Sequence, residues 1–153
     1  MPSVSIRGLD ELARRSDIDF EELLAEIITR SAIRVEGTMK EYPSPPEGGA
    51  WAAQTTRAQK AAFFIRLRRG EIDGQRTGTL GRRWTYEIKR GNGTVRGEVG
   101  NNTEYGPYVQ SEAFQARFHR GRWGTDAQAI ETEAGLIEED ANRVVARRLQ
   151  APP

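Results

Sequence analysis

Cysteine is absent from this 153-residue chain, and histidine occurs once, at position 119. The first absence removes disulfides, thiol nucleophiles and thiolate metal sites together. The second leaves no serine or cysteine triad in standard form and makes a transition-metal site depend almost wholly on carboxylates. No apolar run approaches the roughly 18–20 residues that cross a bilayer, so no membrane contact is expected. The first residues, MPSVSIRGLDELARR, lack the apolar core of a signal peptide, so secretion is not expected either. Strong charge of one sign is lacking too: 23 Lys and Arg face 22 Asp and Glu, a net charge of +1 that does not suit a dedicated DNA binder.

What charge there is lies unevenly. Residues 10–26 hold seven acids against Arg14 and Arg15, a balance of −5, while residues 76–123 hold nine cations against four glutamates, a balance of +5. Either the basic stretch faces nucleic acid, or acidic and basic patches of neighbouring copies meet; the near-neutral total favours the second. By length the chain is a single domain, 1–153, with room for a real core.

Apolar periodicity gives the frame. A short helical turn is expected from Leu9 to Arg15. Asp19, three residues before Glu22, offers a cap. After it Phe20, Leu23, Leu24, Ile27, Ile28, Ser31, Val35 and Met39 recur at helical steps, which predicts a helix over 20–41. The prolines of 42–50 end it in an extended connector. Thr55 or Thr56 caps a second helix from Arg57 to about Gly70, with a stripe of Ala58, Ala61, Ala62, Ile65 and Arg69 broadened by Phe63, Phe64 and Leu67, and a cationic remainder. Thr125 caps a last helix of about 24 residues, whose stripe is Ala127, Ile130, Ala134, Ile137, Ala141, Val144 or Val145, and Leu149.

Between these helices, Trp84, Tyr86 and Ile88 alternate with polar residues, as do Val95, Gly97 and Val99, the signature of a β-hairpin. If Asn92-Gly93 closes it, Glu87 faces Glu98 and Lys89 faces Arg96. If Gly91-Asn92 closes it, Ile88 faces Val95, Trp84 faces Val99 and Glu87 faces Arg96. The second register is expected, because directly opposed like charges are unfavourable. Trp84 and Tyr86 are expected in the core. Residues 110–124 form an extended basic loop or arm, with Ser111–Phe118 a short helix or irregular and Trp123 an exposed anchor. The fold class is therefore α+β: long N-terminal, middle and C-terminal helices packed on a small antiparallel sheet.

Catalytic constellations are discounted. No carboxylate near in sequence orients His119, and Arg117, Arg120 and Arg122 disfavour its protonation. Glu138, Glu139 and Asp140 occupy consecutive helical positions that point apart. Gly78-Thr79-Leu80-Gly81 lacks the lysine of a phosphate loop.

The ordered set Arg76-Thr77-Gly78-Thr79-Leu80, then Trp84, a hairpin, Val99-Gly100 and Tyr105-Gly106-Pro107-Tyr108-Val109 resembles the tail-completion, or neck, proteins of long-tailed double-stranded DNA bacteriophages. The motifs cover 42–109, and the order of elements extends over the chain. The chain departs from the family pattern at Arg76, where an acid is common, and after Val109, where Gln110-Ser111-Glu112 replaces a glutamate and glycine turn. The resemblance implies a structural virion protein, not an enzyme and without cofactors. It implies head–tail joining or tail completion as a homo-oligomeric ring beside other neck and tail proteins, with DNA contacted, if at all, without sequence specificity in a central channel. The residues expected at such interfaces are Arg76, Thr77, Tyr105, Tyr108, Glu112, Arg117, His119, Arg120, Arg122 and Trp123. The alternative is a nucleic-acid-binding module using 76–123; a hydrolase built on scattered carboxylates is a further one.

Overall fold

The computed structural model describes residues 4–14, 18–41, 43, 56–69, 78–91, 93–117 and 119–150. Within them the chain runs Leu9–Leu12 (α1), Phe20–Lys40 (α2), Arg57–Arg68 (α3), Thr79–Arg82 (α4), Trp84–Gly91 (β1), Thr94–Asn101 (β2), Gly106–Gln110 (α5) and Asp126–Gln150 (α6). Helices on a small antiparallel sheet make this an α+β fold. The connector expected at 42–50 lies, apart from Pro43, outside the described residues, as do Arg76 and Thr77.

Helix α2 is the axis. It starts where expected, with the Asp19 carboxylate accepting from the Glu22 N–H at 3.0 Å, which satisfies one of the first-turn donors. One face, Leu23 and Ile27, packs on Ala141, Val144 and Val145 of α6, with Leu12 of α1 closing the cluster. Polar pairs along the seam set the direction. Glu26 meets Arg147 at 2.7 Å and Arg148 at 3.4 Å, Arg34 meets Asp140 at 2.7 Å, and the Thr38 hydroxyl donates to Glu133 at 2.7 Å. As the α2 number rises its partner's falls, so the two helices are antiparallel.

Helix α6 also begins as expected. The Thr125 hydroxyl accepts from the Gln128 N–H at 3.2 Å, and Gln128 Oε1 accepts from the Thr125 N–H at 3.0 Å, a reciprocal cap. Its first half departs from the expected stripe: Ala129 is buried while Ile130 stays exposed. Helix α3 departs further. Thr56 and Gln59 exchange the same reciprocal bonds, but Ala58, Ala61, Ala62, Phe64 and Ile65 are exposed and Phe63 is buried, so the expected stripe is not its inner face.

The opposite face of α2 carries the hairpin, in the register the charge argument rejects. Gly91 pairs with Thr94, and Gly93 between them stands at φ 72°. Glu87 then does lie opposite Glu98, and Lys89 opposite Arg96. The repulsion is relieved within one network: Lys89 binds Glu98 on the cross-strand diagonal and lies 3.5 Å from Glu87 along its own strand, and Arg96 lies 3.4 Å from Glu98 along the other. Four alternating charges form one network, so directly opposed pairs were the wrong measure. Packing favours the same register. It sets Ile88 opposite Gly97, and a Cβ at 97 would lie 2.8 Å from Ile28 Cγ2 of α2. Trp84 is half-buried, and Tyr86, expected in the core, is 36% exposed.

Candidate functional site

Past the hairpin the chain builds a small unit around three buried side chains, Leu80, Val109 and Trp123. Glycines place the first two. Gly78 precedes α4 at φ 71°, a left-handed conformation that ordinary side chains avoid, and the tight turn turns Leu80 inward. Gly106 opens α5 against Asn101, with Pro107 at its first turn, where a missing N–H costs nothing. Asn101 ties the two turns together: its amide donates to the Leu80 carbonyl at 2.8 Å, and its oxygen accepts from the Thr103 N–H and hydroxyl.

Two buried glutamines do the rest. Gln110 is 3% exposed; its Oε1 accepts from the Trp84 indole N–H at 3.1 Å, and its Nε2 donates to the Met39 carbonyl at 3.0 Å. It thereby joins hairpin, α5 and the end of α2, and satisfies a C-terminal helix carbonyl. Gln115 Nε2 donates to the Val109 carbonyl at 2.7 Å and to the Trp123 carbonyl at 3.0 Å. Because these amides are buried, each bond lost would leave a polar group without water.

The expected extended arm is therefore not extended. From Ser111 to Arg117 the chain folds back over α5, with the Ala116 N–H donating to the Tyr108 carbonyl at 2.8 Å and the Glu112 N–H to Asp126 at 2.8 Å. Trp123, expected as an exposed anchor, is core at 7% exposure, because Gln115 draws its carbonyl inward and Leu80 and Val109 cover its ring. His119 is half-buried and meets the Trp123 ring edge-on, centroids 6.2 Å apart. Arg122 is half-buried, while Arg117, Arg120 and Glu112 are exposed, Arg120 donating to the Gln115 carbonyl at 3.3 Å.

What the unit presents outward is aromatic. Tyr105, Tyr108 and Phe114 are exposed, Phe114 at 67%, on backbone pinned from beneath. Tyr105 and Tyr108 were expected at a surface; Phe114, Gln110 and Gln115 were not singled out. No periodicity marks a lone buried amide, though Phe114 in a polar, cationic stretch is a signal in plain view. Beside this face opens a groove of about 500 Å³ between α2, the base of the hairpin, α5 and the start of α6, lined by apolar side chains including Val35, Trp84, Val99 and Ile130.

The opposed charge blocks of the sequence meet partly inside the chain. Arg90 of the basic stretch binds Glu22 of the acidic one at 2.7 Å. The hydrogen bond from Lys89 lowers the Glu98 pKa, and the bond to Glu98 raises that of Lys89. Burial pushes the Glu26 carboxyl up, but the Arg147 hydrogen bond and charge, with Arg148 and Arg30, outweigh it and hold the carboxyl below the ordinary glutamate value. Among the described residues no group of three or more His, Asp or Glu side chains is placed to hold a metal ion, and no helix is long and apolar enough to cross a membrane. The chain matches no protein-family model, no curated protein and no solved structure.

Proposed function

We propose that this chain is a structural protein of the bacteriophage neck or tail, acting by contact with copies of itself and with neighbouring virion proteins. The observation that carries the reading is the exposure of Tyr105, Tyr108 and Phe114 on this one small unit. Exposed aromatic side chains on backbone fixed by buried hydrogen bonds make a preorganised surface, and such surfaces mark protein contacts. The residues that carry the resemblance to neck proteins fall in the same unit: Gly78, Leu80, Gly106 and Val109 build it, and Tyr105 and Tyr108 stand out from it. Arg117 and Arg120 at its margin supply the polar rim that aromatic contacts usually carry.

Nucleic-acid binding through 76–123 is the competing reading, and the exposed Arg117 and Arg120 are what favours it. Against it, Lys89 and Arg90 are engaged by Glu98 and Glu22 within the chain, which leaves fewer cations for phosphates. Replacing Tyr105 and Tyr108 by serine tests the choice. Self-association falls by about tenfold or more while circular dichroism is unchanged, the scale of losing aromatic anchors. Association that is unaltered, together with a DNA mobility shift that collapses as salt rises, would establish the competing reading.

A further inference from the structure

Strand β1 forms one edge of the two-stranded sheet, and its sequence does nothing to blunt that edge. Its pairs with β2 run without a bulge from Trp84 to Gly91, and it contains no proline. Gly91 and Thr94 lie so close in the chain that they form a hydrogen-bonded pair, so Gly91, Lys89, Glu87 and Thr85 spend their N–H and C=O groups on β2. The residues between, Tyr86, Ile88 and Arg90, turn theirs outward. Among the described residues none of these three exchanges a backbone hydrogen bond with anything outside the sheet. Tyr86 and Arg90 are exposed and Ile88 is half-buried, while α2 takes the face of the sheet, where Gly97 meets Ile28. Natural sheets cover, bend or interrupt such an edge; left open, it is a template for another strand.

The strand is complementary to itself. Laid antiparallel against a second β1 about a two-fold axis at Ile88, Glu87 of each copy faces Lys89 of the other, Tyr86 faces Arg90, Thr85 faces Gly91, and Ile88 meets Ile88. Moving the axis to Glu87 opposes two glutamates, and moving it to Lys89 opposes two lysines. Within the hairpin the fit of Gly97 on Ile28 outweighs such an opposition; between copies the cross-strand pairs decide. No free cation is required. Lys89 already binds Glu98 and lies 3.5 Å from Glu87 in its own hairpin, so the pairing extends an existing alternation of charge. Arg90 keeps Glu22 and offers Tyr86 its aliphatic stem.

We infer that two copies of this chain join edge to edge through β1, antiparallel and in the register centred on Ile88, to make one four-stranded sheet. The contact is isologous, the same strand serving on both sides. Tyr86, Ile88 and Arg90 of the two copies then supply about six main-chain hydrogen bonds, and alternate side chains supply the specificity. The inference goes beyond the function proposed above, because it uses main-chain groups of the hairpin and none of Tyr105, Tyr108 and Phe114.

The absence of cysteine makes the test clean. One batch carries Thr85→Cys and a second carries Gly91→Cys, where an added Cβ meets nothing within 4 Å. Mixed under mild oxidation, they are expected to give a disulfide-linked pair of copies several-fold above either batch alone. The yield should also exceed that of Thr85→Cys mixed with Lys89→Cys, the pair that an axis at Glu87 would bring together. Tyr86→Pro removes an outward N–H and leaves those facing β2, so the hairpin survives while the contact loses one bond on each side. It is expected to weaken pairing roughly 30-fold, the worth of two net hydrogen bonds, with circular dichroism unchanged. A Thr85–Gly91 link no stronger than the controls overturns the inference, as does a folded Tyr86→Pro protein that associates as before. Replacing Tyr105 and Tyr108 by serine separates the inference from the proposed function. A link that persists while other association falls upholds both; a link lost along with that association overturns the inference and leaves the function standing. A link that persists with association wholly unchanged upholds the inference alone.

Discussion

Among the described residues two hydrophobic clusters stand out, and they are made by different means. The larger joins six buried side chains of α1, α2 and α6, all aliphatic, on helices whose spacing declares them. The smaller joins Leu80, Val109 and Trp123, and depends on Asn101, Gln110 and Gln115 to hold the surrounding backbone. The first is a frame that periodic burial can build. The second is a platform whose shape is set by directional bonds, and it is the one that bears the exposed aromatics. Surfaces meant for contact need fixed backbone more than they need a large core, and buried amides supply it at small volume.

The largest expected effect separates the clusters. Trp123→Ala should cost about 3–5 kcal/mol, and Leu23→Ala about 2–5 kcal/mol. Their reach should differ. Hydrogen exchange in Trp123→Ala should rise over 106–124 with α2 and α6 still protected, while Leu23→Ala should lower protection throughout both helices. Equal loss everywhere in both variants would make the two clusters one. Next comes Gln115→Leu, which fills the space but removes the bonds to the Val109 and Trp123 carbonyls; it should cost about 1–3 kcal/mol in urea unfolding and loosen the same segment. A neutral result would mean that packing alone shapes the platform.

The smallest effect belongs to the frame. Glu26 has its folded pKa below the unfolded value, so its pairing with Arg147 and Arg148 adds stability that is full above the ordinary glutamate value, about 4.3, and is lost as pH falls through the lowered one. Thermal unfolding of wild type should therefore decline more steeply than that of Glu26→Gln as pH drops below about 4.3. Parallel declines would remove Glu26 from the seam.

The frame was legible because helices repeat. Asp19 and Thr125 announced where α2 and α6 begin, and Leu23, Ile27, Ala141 and Val144 announced which sides face each other. The hairpin was legible as a hairpin but not in register, since Lys89 meets Glu98 on the diagonal and Glu87 along its own strand, and Gly97 makes room for Ile28, none of it visible when residues are compared only across the strands. Least legible was 110–124. Trp123 stands among arginines and glycines and reads as exposed; what buries it is Gln115, eight residues earlier, whose amide follows no period. The aromatic positions Tyr105 and Tyr108 were found, and Phe114 beside them was missed, because a loop expected to extend gives no reason to ask which of its side chains the fold-back leaves outside.

A surface that meets other folded chains makes the protein's mass depend on its concentration. Light scattering of the purified protein over a range of concentrations tests it most directly. Masses that rise with concentration from the 17.1 kDa of one chain to a multiple of it are the predicted result. A mass fixed at one chain at every concentration, in a protein that binds DNA tightly and loses it steeply with salt, would contradict it.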